Sequence, residues 1–241
     1  MAVVGFKQLL LAVAILVVGN NYAQITQGKI TFERKTNLFK KFDDKNIQEF
    51  LKEKKIKIDK FELFFNDSLC TFKPVALEVV DELSWTTNKN SVYQNLSNKE
   101  RMTVMDLWGN LVFIKDSISP RAWKITDNSR NIAGYNCRKA IYQKDDSTRI
   151  YAWFSVDLVP SIGPELFSGL PGAILGLATE DGGVIYFATE VKAMNVPAET
   201  FNYKAGKNEI YTVEKIRKEL ESKFASQPWG KRVLEDMFRW Y

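Results

Sequence analysis

Histidine does not occur among the 241 residues. This absence excludes Ser-His-Asp and Cys-His nucleophile pairs, and every zinc site that needs imidazole ligands. Cysteine occurs twice, which is too few for an all-thiolate zinc site. The sequence also lacks a phosphate-binding loop that ends in Gly-Lys-Ser/Thr. We therefore expect neither a metal site nor a cofactor.

A separated block of basic charge is also missing. Lys and Arg total 34 against 29 Asp and Glu, and the two signs alternate in charged stretches such as 214–219. Such mixing is typical of a solvated surface and not of a nucleic-acid-binding stripe, so we expect no nucleic-acid partner. The 16 Phe, 9 Tyr and 6 Trp residues supply bulky side chains for a folded core.

The beginning of the chain has the pattern of an export signal. Lys7 is followed by ten apolar residues, 9–18, too few to span a bilayer but typical of the apolar part of a secretory signal. We predict a signal peptide over 1–23, cleaved near Ala23, and a single mature domain over 24–241 without a transmembrane span. The alternative is an uncleaved membrane anchor.

Export bears on the two cysteines. In an oxidising compartment Cys70 and Cys137 could form a disulfide, provided that their Cα atoms lie within about 7 Å of each other. The alternative is a pair of buried free thiols.

The mature chain has mainly the alternation of β-strands. Ile30 and Phe32 share one face of a strand, and Asn66-Asp67-Ser68 and Trp108-Gly109-Asn110 are turn sequences between strands. The close spacing predicts an α+β, mainly β fold with a curved antiparallel sheet, for which a half-open barrel is one shape considered. A short helix is predicted within 43–55, and two C-terminal helices within 211–241 are expected to pack on the sheet.

A segment rich in glycine and proline, residues 162–176, is the most distinctive part of the sequence. Its Pro171-Gly172 pair favours a turn with positive φ at the glycine, and the following residues resemble a strand. We interpret it chiefly as a tight, buried turn, with the rim of a ligand or partner site as the alternative. The candidate rim residues are Trp153, Asp157, Gly163, Pro164, Phe167, Gly169, Leu170, Pro171 and Gly172.

These motifs resemble the GLPGLI family of exported proteins, which is common in Bacteroidetes. The resemblance covers about residues 120–192 and rests on Gly169-Leu170-Pro171-Gly172 and on the stretches 134–140, 152–154 and 157–160. Ala173 departs from the usual leucine of the family. The resemblance implies the periplasm or outer envelope of a diderm bacterium, and it implies no particular activity.

Three functional hypotheses follow. The leading one is a non-enzymatic binding or accessory protein of the cell envelope, whose curved sheet holds an apolar small molecule or an outer-membrane or periplasmic protein. The second is an envelope enzyme that uses the carboxylates of Asp157 and Glu165 or the thiol of Cys137. The third is a structural protein that docks through its tail, residues 229–241.

Overall fold

The computed structural model describes residues 24–76, 81–146 and 148–241, so the predicted signal peptide lies outside the described residues. The mainly β prediction is confirmed, because the described residues form one curved, open sheet of twelve strands. The strands are β1 (Gly28–Asn37), β2 (Ile56–Phe65), β3 (Leu69–Pro74), β4 (Ser91–Asn95), β5 (Glu100–Leu107), β6 (Asn110–Ser117), β7 (Trp123–Ile132), β8 (Tyr135–Gln143), β9 (Arg149–Ser155), β10 (Ala173–Thr179), β11 (Val184–Ala193) and β12 (Ile210–Tyr211).

Two antiparallel meanders make up the sheet. Strands β1 to β6 follow one another on one side, β11 back to β7 follow on the other, and the meanders join where β1 pairs with β11. The short β12 pairs with β6 in the parallel sense. Register shifts interrupt the β1–β11, β9–β10 and β7–β8 ladders, and such irregularities bend strands and help a sheet to curve.

The described residues also form four α-helices, which are α1 (Leu38–Lys41), α2 (Lys45–Leu51), α3 (Val213–Phe224) and α4 (Gly230–Met237). The two predicted C-terminal helices are therefore confirmed. Thr212 caps α3 by accepting a hydrogen bond from the Lys215 amide. The helices bury Leu220 and Met237 in a second core against Met105 of β5. The tail is thus part of the fold, which weakens the hypothesis of a free docking tail.

None of the described helices is long and apolar enough to cross a membrane.

Buried side chains fill the inner face of the sheet, by which we mean the face that carries Phe32, Phe61 and Phe72. The rings of Phe61 and Phe72 stack with centroids 4.8 Å apart. The connection between β9 and β10, residues 156–172, covers this face and adds Leu166 and Phe167 to the same core. The predicted apolar ligand would have to compete with these side chains, so the structure does not favour that part of the leading hypothesis.

The two cysteines are free thiols in the structure, which corresponds to the alternative considered from the sequence. Cys70 lies on β3 and Cys137 on β8, and both side chains are buried in the main core. Burial raises the pKa of the Cys70 thiol, and it raises that of Cys137 to about 12. Because the thiolate is the reactive form, these values disfavour the thiol version of the enzyme hypothesis.

Candidate functional site

The glycine- and proline-rich segment is built into the core. Gly172 has φ +139°, and a Cβ atom there would lie 2.1 Å from the Ser155 carbonyl oxygen. A Cβ atom at Gly163 would lie 2.9 Å from the Phe167 carbonyl oxygen. Only glycine permits such approaches, so the tight, buried turn interpreted from the sequence is observed.

The candidate rim residues do not form one open surface. Pro164, Phe167 and Leu170 are buried with Gly163 and Gly172, whereas Trp153 is half-buried and stacks under the Arg130 guanidinium at 4.4 Å. The members that face solvent are Asp157, Gly169 and Pro171.

The two acids of the enzyme hypothesis are not brought into contact. Asp157 is exposed and accepts a hydrogen bond from the Ser155 hydroxyl, whereas Glu165 is fully buried. Within the described parts of the chain, no group of three or more Cys, Asp or Glu residues is arranged to hold a metal ion.

The inner face also carries a row of buried charged residues, which was not predicted from the sequence. The alternation that buries Ile30 and Phe32 continues along β1 to Arg34, which is 6% exposed. Strand β2 begins with the reverse of the usual pattern, since Asp59 is buried while Ile58 is exposed. The strand register then places Asp59, Arg34 and Tyr186 side by side across β2, β1 and β11.

We call Arg34, Asp59, Lys57, Glu165 and Tyr186 the Arg34 cluster. Arg34 Nη2 donates to Asp59 Oδ2 at 2.8 Å, and Nη1 donates to the Tyr186 hydroxyl at 3.3 Å. Nη1 also lies 3.7 Å from Glu165 Oε1, and Lys57 Nζ lies 3.1 Å from Asp59 Oδ1. The Arg34 Nε–H is buried and has no hydrogen-bond partner in the part of the chain that the structure describes.

Glu165 occupies an unusual backbone conformation for a residue with a side chain. Its φ is +55°, a region that costs such residues about 1–3 kcal/mol and persists only where the surroundings fix it. The Tyr186 hydroxyl donates to Glu165 Oε1 at 2.5 Å. The carbonyl of Leu166 accepts from both Arg101 and Arg121, at 3.3 Å and 2.6 Å. Polar side chains of the sheet, together with Arg121 just before β7, therefore hold the covering segment in place.

The two carboxyl groups beside Arg34 have their pKa values displaced in opposite directions. Burial would raise the pKa of Asp59, but the charges and hydrogen bonds of Arg34 and Lys57 outweigh burial and lower it to about 2. For Glu165, burial is the stronger influence and raises its pKa against the opposing charge of Arg34. Asp59 is thus a fixed negative charge and Glu165 is an acid that retains its proton more readily.

A cavity of about 70 Å³ adjoins the cluster. Its wall includes Arg34 and Glu165 from the inner face and Lys41 from α1, and residues of the tail close one side. In that tail, Asp236 contacts both Lys41 and Arg239, at 2.5 Å and 3.2 Å. The cavity has room for water or for a small ligand group.

A second feature is an exposed row of aromatic rings, which we call the aromatic strip: Trp108, Phe224 and Trp229. Trp108 is 66% exposed at the tip of the β5–β6 hairpin, and its ring centroid lies 5.3 Å from that of Phe224. Phe224 in turn lies 5.5 Å from Trp229, which is 40% exposed. The sequence predicts Trp108 as part of a turn, but it does not predict the proximity of Trp108 to the helices.

The sequence matches no protein-family profile and no curated protein. Among solved structures, PNGF-II in its C2 crystal form is 19% identical over 80% of this chain with a TM-score of 0.56. Its P21 form is 18% identical over 78%, with a TM-score of 0.50. The chain spans about a third of PNGF-II, 32% and 31% of its length in the two forms. At these identities the similarity shows the fold alone.

Proposed function

We propose that the chain is a non-enzymatic binding or accessory protein of a bacterial cell envelope, which binds an outer-membrane or periplasmic protein through the aromatic strip. Export rests on the predicted signal peptide and on the GLPGLI resemblance. The filled inner face favours a protein partner over an apolar small molecule, because side chains already occupy the space that such a molecule would need.

The conformation of Trp108 carries the proposal. Trp108 and Gly109 have φ values of +55° and +88°, as in the two-residue hairpin turns that strongly prefer Asn-Gly. A tryptophan there strains the backbone and exposes a large apolar ring, so turn geometry does not account for it. Exposed tryptophan is common at the centres of protein interfaces. Phe224 and Trp229 extend the same apolar surface.

Replacing Trp108 by asparagine tests whether the tryptophan ring serves partner binding or the stability of the fold. The Trp108→Asn variant should be as stable as the parent or more stable, because Asn-Gly suits the turn. A photo-crosslinking residue in place of Leu111, which is 52% exposed on β6, should capture the same envelope protein reproducibly in cells of the source bacterium. With that partner purified, Trp108→Asn should weaken its affinity at least tenfold, about 1.4 kcal/mol or more.

A crosslinker at Ile125, 39% exposed on β7, provides the matched control and should not capture this partner. Equal capture at both positions, or unchanged affinity in Trp108→Asn, would contradict the proposal. A lower unfolding midpoint in Trp108→Asn would show instead that the ring serves the fold.

A further inference from the structure

We propose that the cavity beside Arg34 binds a small oxyanion, the phosphate or carboxylate group of a ligand. This site is separate from the aromatic strip, and the inference does not depend on a protein partner.

The first observation is the free donor of Arg34. The side chain is 7% exposed and lines the cavity, yet its Nε–H has no hydrogen-bond partner among the described residues. A buried donor without a partner costs about 1–3 kcal/mol. The guanidinium plane presents its N–H groups in a geometry that matches the oxygens of carboxylates and phosphates. An oxyanion oxygen in the cavity would satisfy this donor.

The second observation is the charge of the wall. Lys41 and Arg239 line the same cavity as Arg34, and their side chains are 14% and 35% exposed. Lys40 is the fourth cation of the wall, which also carries three acids. Of these, Asp236 is shared between Lys41 and Arg239, Glu165 lies beside Arg34, and Asp181 is the third. Burial, and then the like charges of Arg239 and Arg34, lower the pKa of Lys41 against the opposing effect of Asp236. An anion would relieve the repulsion among these cations.

The third observation is the size of the cavity. The cavity of about 70 Å³ is partly open to solvent, so it has room for the anionic group of a ligand while the rest of a larger molecule stays outside. The ligand is therefore either a free inorganic anion or a larger molecule that inserts only its anionic group.

The test is titration calorimetry of the full mature chain with sodium phosphate, glycerol 3-phosphate and sodium acetate, at constant ionic strength set with chloride. We expect saturable one-site binding of phosphate, and a rise in the unfolding midpoint over chloride that grows with phosphate concentration. Binding of glycerol 3-phosphate as well would identify the anionic group of a larger molecule, whereas binding of phosphate alone would identify a free ion. Binding of acetate alone would identify a carboxylate.

Variants locate the site. Lys41→Gln and Arg239→Gln should each weaken the affinity for the bound anion at least tenfold. Lys231→Gln is the matched control, because Lys231 is 89% exposed on α4 and does not line this cavity. The proposal is overturned if no anion binds more tightly than chloride, if Lys41→Gln and Arg239→Gln both bind like the parent, or if Lys231→Gln weakens binding as much as they do. Arg239→Gln, at a partly exposed position, keeps the test decisive if Lys41→Gln does not fold.

Discussion

Strands β1, β2 and β11 carry two neighbouring rows of inner-face residues whose chemistry is opposite. One row is Phe61, Phe32 and Ala188, and the next is Asp59, Arg34 and Tyr186. All six residues are buried, so exposure does not distinguish the rows. The first row is an ordinary apolar core, whereas the second contains a guanidinium and a carboxylate with a second carboxyl group, that of Glu165, above them.

The difference matters because the two rows contribute to stability in different ways. Burial of apolar surface stabilises a fold by about 25 cal/mol per Å². Burial of charges removes them from water, and their mutual attraction often does no more than offset that loss. Apolar side chains in place of the charged row would therefore often give the fold equal or greater stability. Stability alone therefore gives no reason for the charged row, and the oxyanion site proposed beside Arg34 would give it a role in binding.

The largest effect is expected in the apolar row. Phe32→Ala should lower the free energy of unfolding by about 3–5 kcal/mol, because it removes a fully buried ring and leaves a cavity. Denaturant unfolding measures this loss, which should not depend on pH. Ile58→Ala is the control, since Ile58 is 52% exposed on the opposite face, and its loss should stay below about 1 kcal/mol. Similar losses in the two variants would remove the distinction between the faces.

A smaller, pH-dependent effect is expected in the charged row. The pKa of Asp59 is lowered from 3.8 to about 2, so its stabilisation is present above pH 4 and is lost as the pH falls through 2. Asp59→Asn should therefore cost about 2–3 kcal/mol at pH 7 and almost nothing near pH 2. Denaturant unfolding at several pH values provides the measurement. A loss that is equal at pH 2.5 and pH 7 would show that charge is not the cause.

Part of the charged site can be predicted from the sequence. Alternation at Ile30 and Phe32 predicted the strand, and extending it by two residues places Arg34 on the same buried face. The contact of Arg34 with Glu165 was beyond reach, because a long-range fold brings the two residues together and no spacing encodes it. Pro171-Gly172 indicated its turn through local backbone chemistry. Cys70 on β3 and Cys137 on β8, by contrast, have five strands between them in the sheet order, and this placement depends on the sheet as a whole.

The central claim is that the charged row serves binding and not stability. Its most direct test is denaturant unfolding of the double variant Arg34→Met, Asp59→Leu in phosphate-free buffer. Lys57 keeps Asp81 as a partner in this variant, and Glu165 keeps Tyr186. We predict a free energy of unfolding equal to or above that of the parent, because apolar replacement of a buried ion pair is often neutral or stabilising. A loss of about 3 kcal/mol or more would contradict the account and assign the charges to the fold itself.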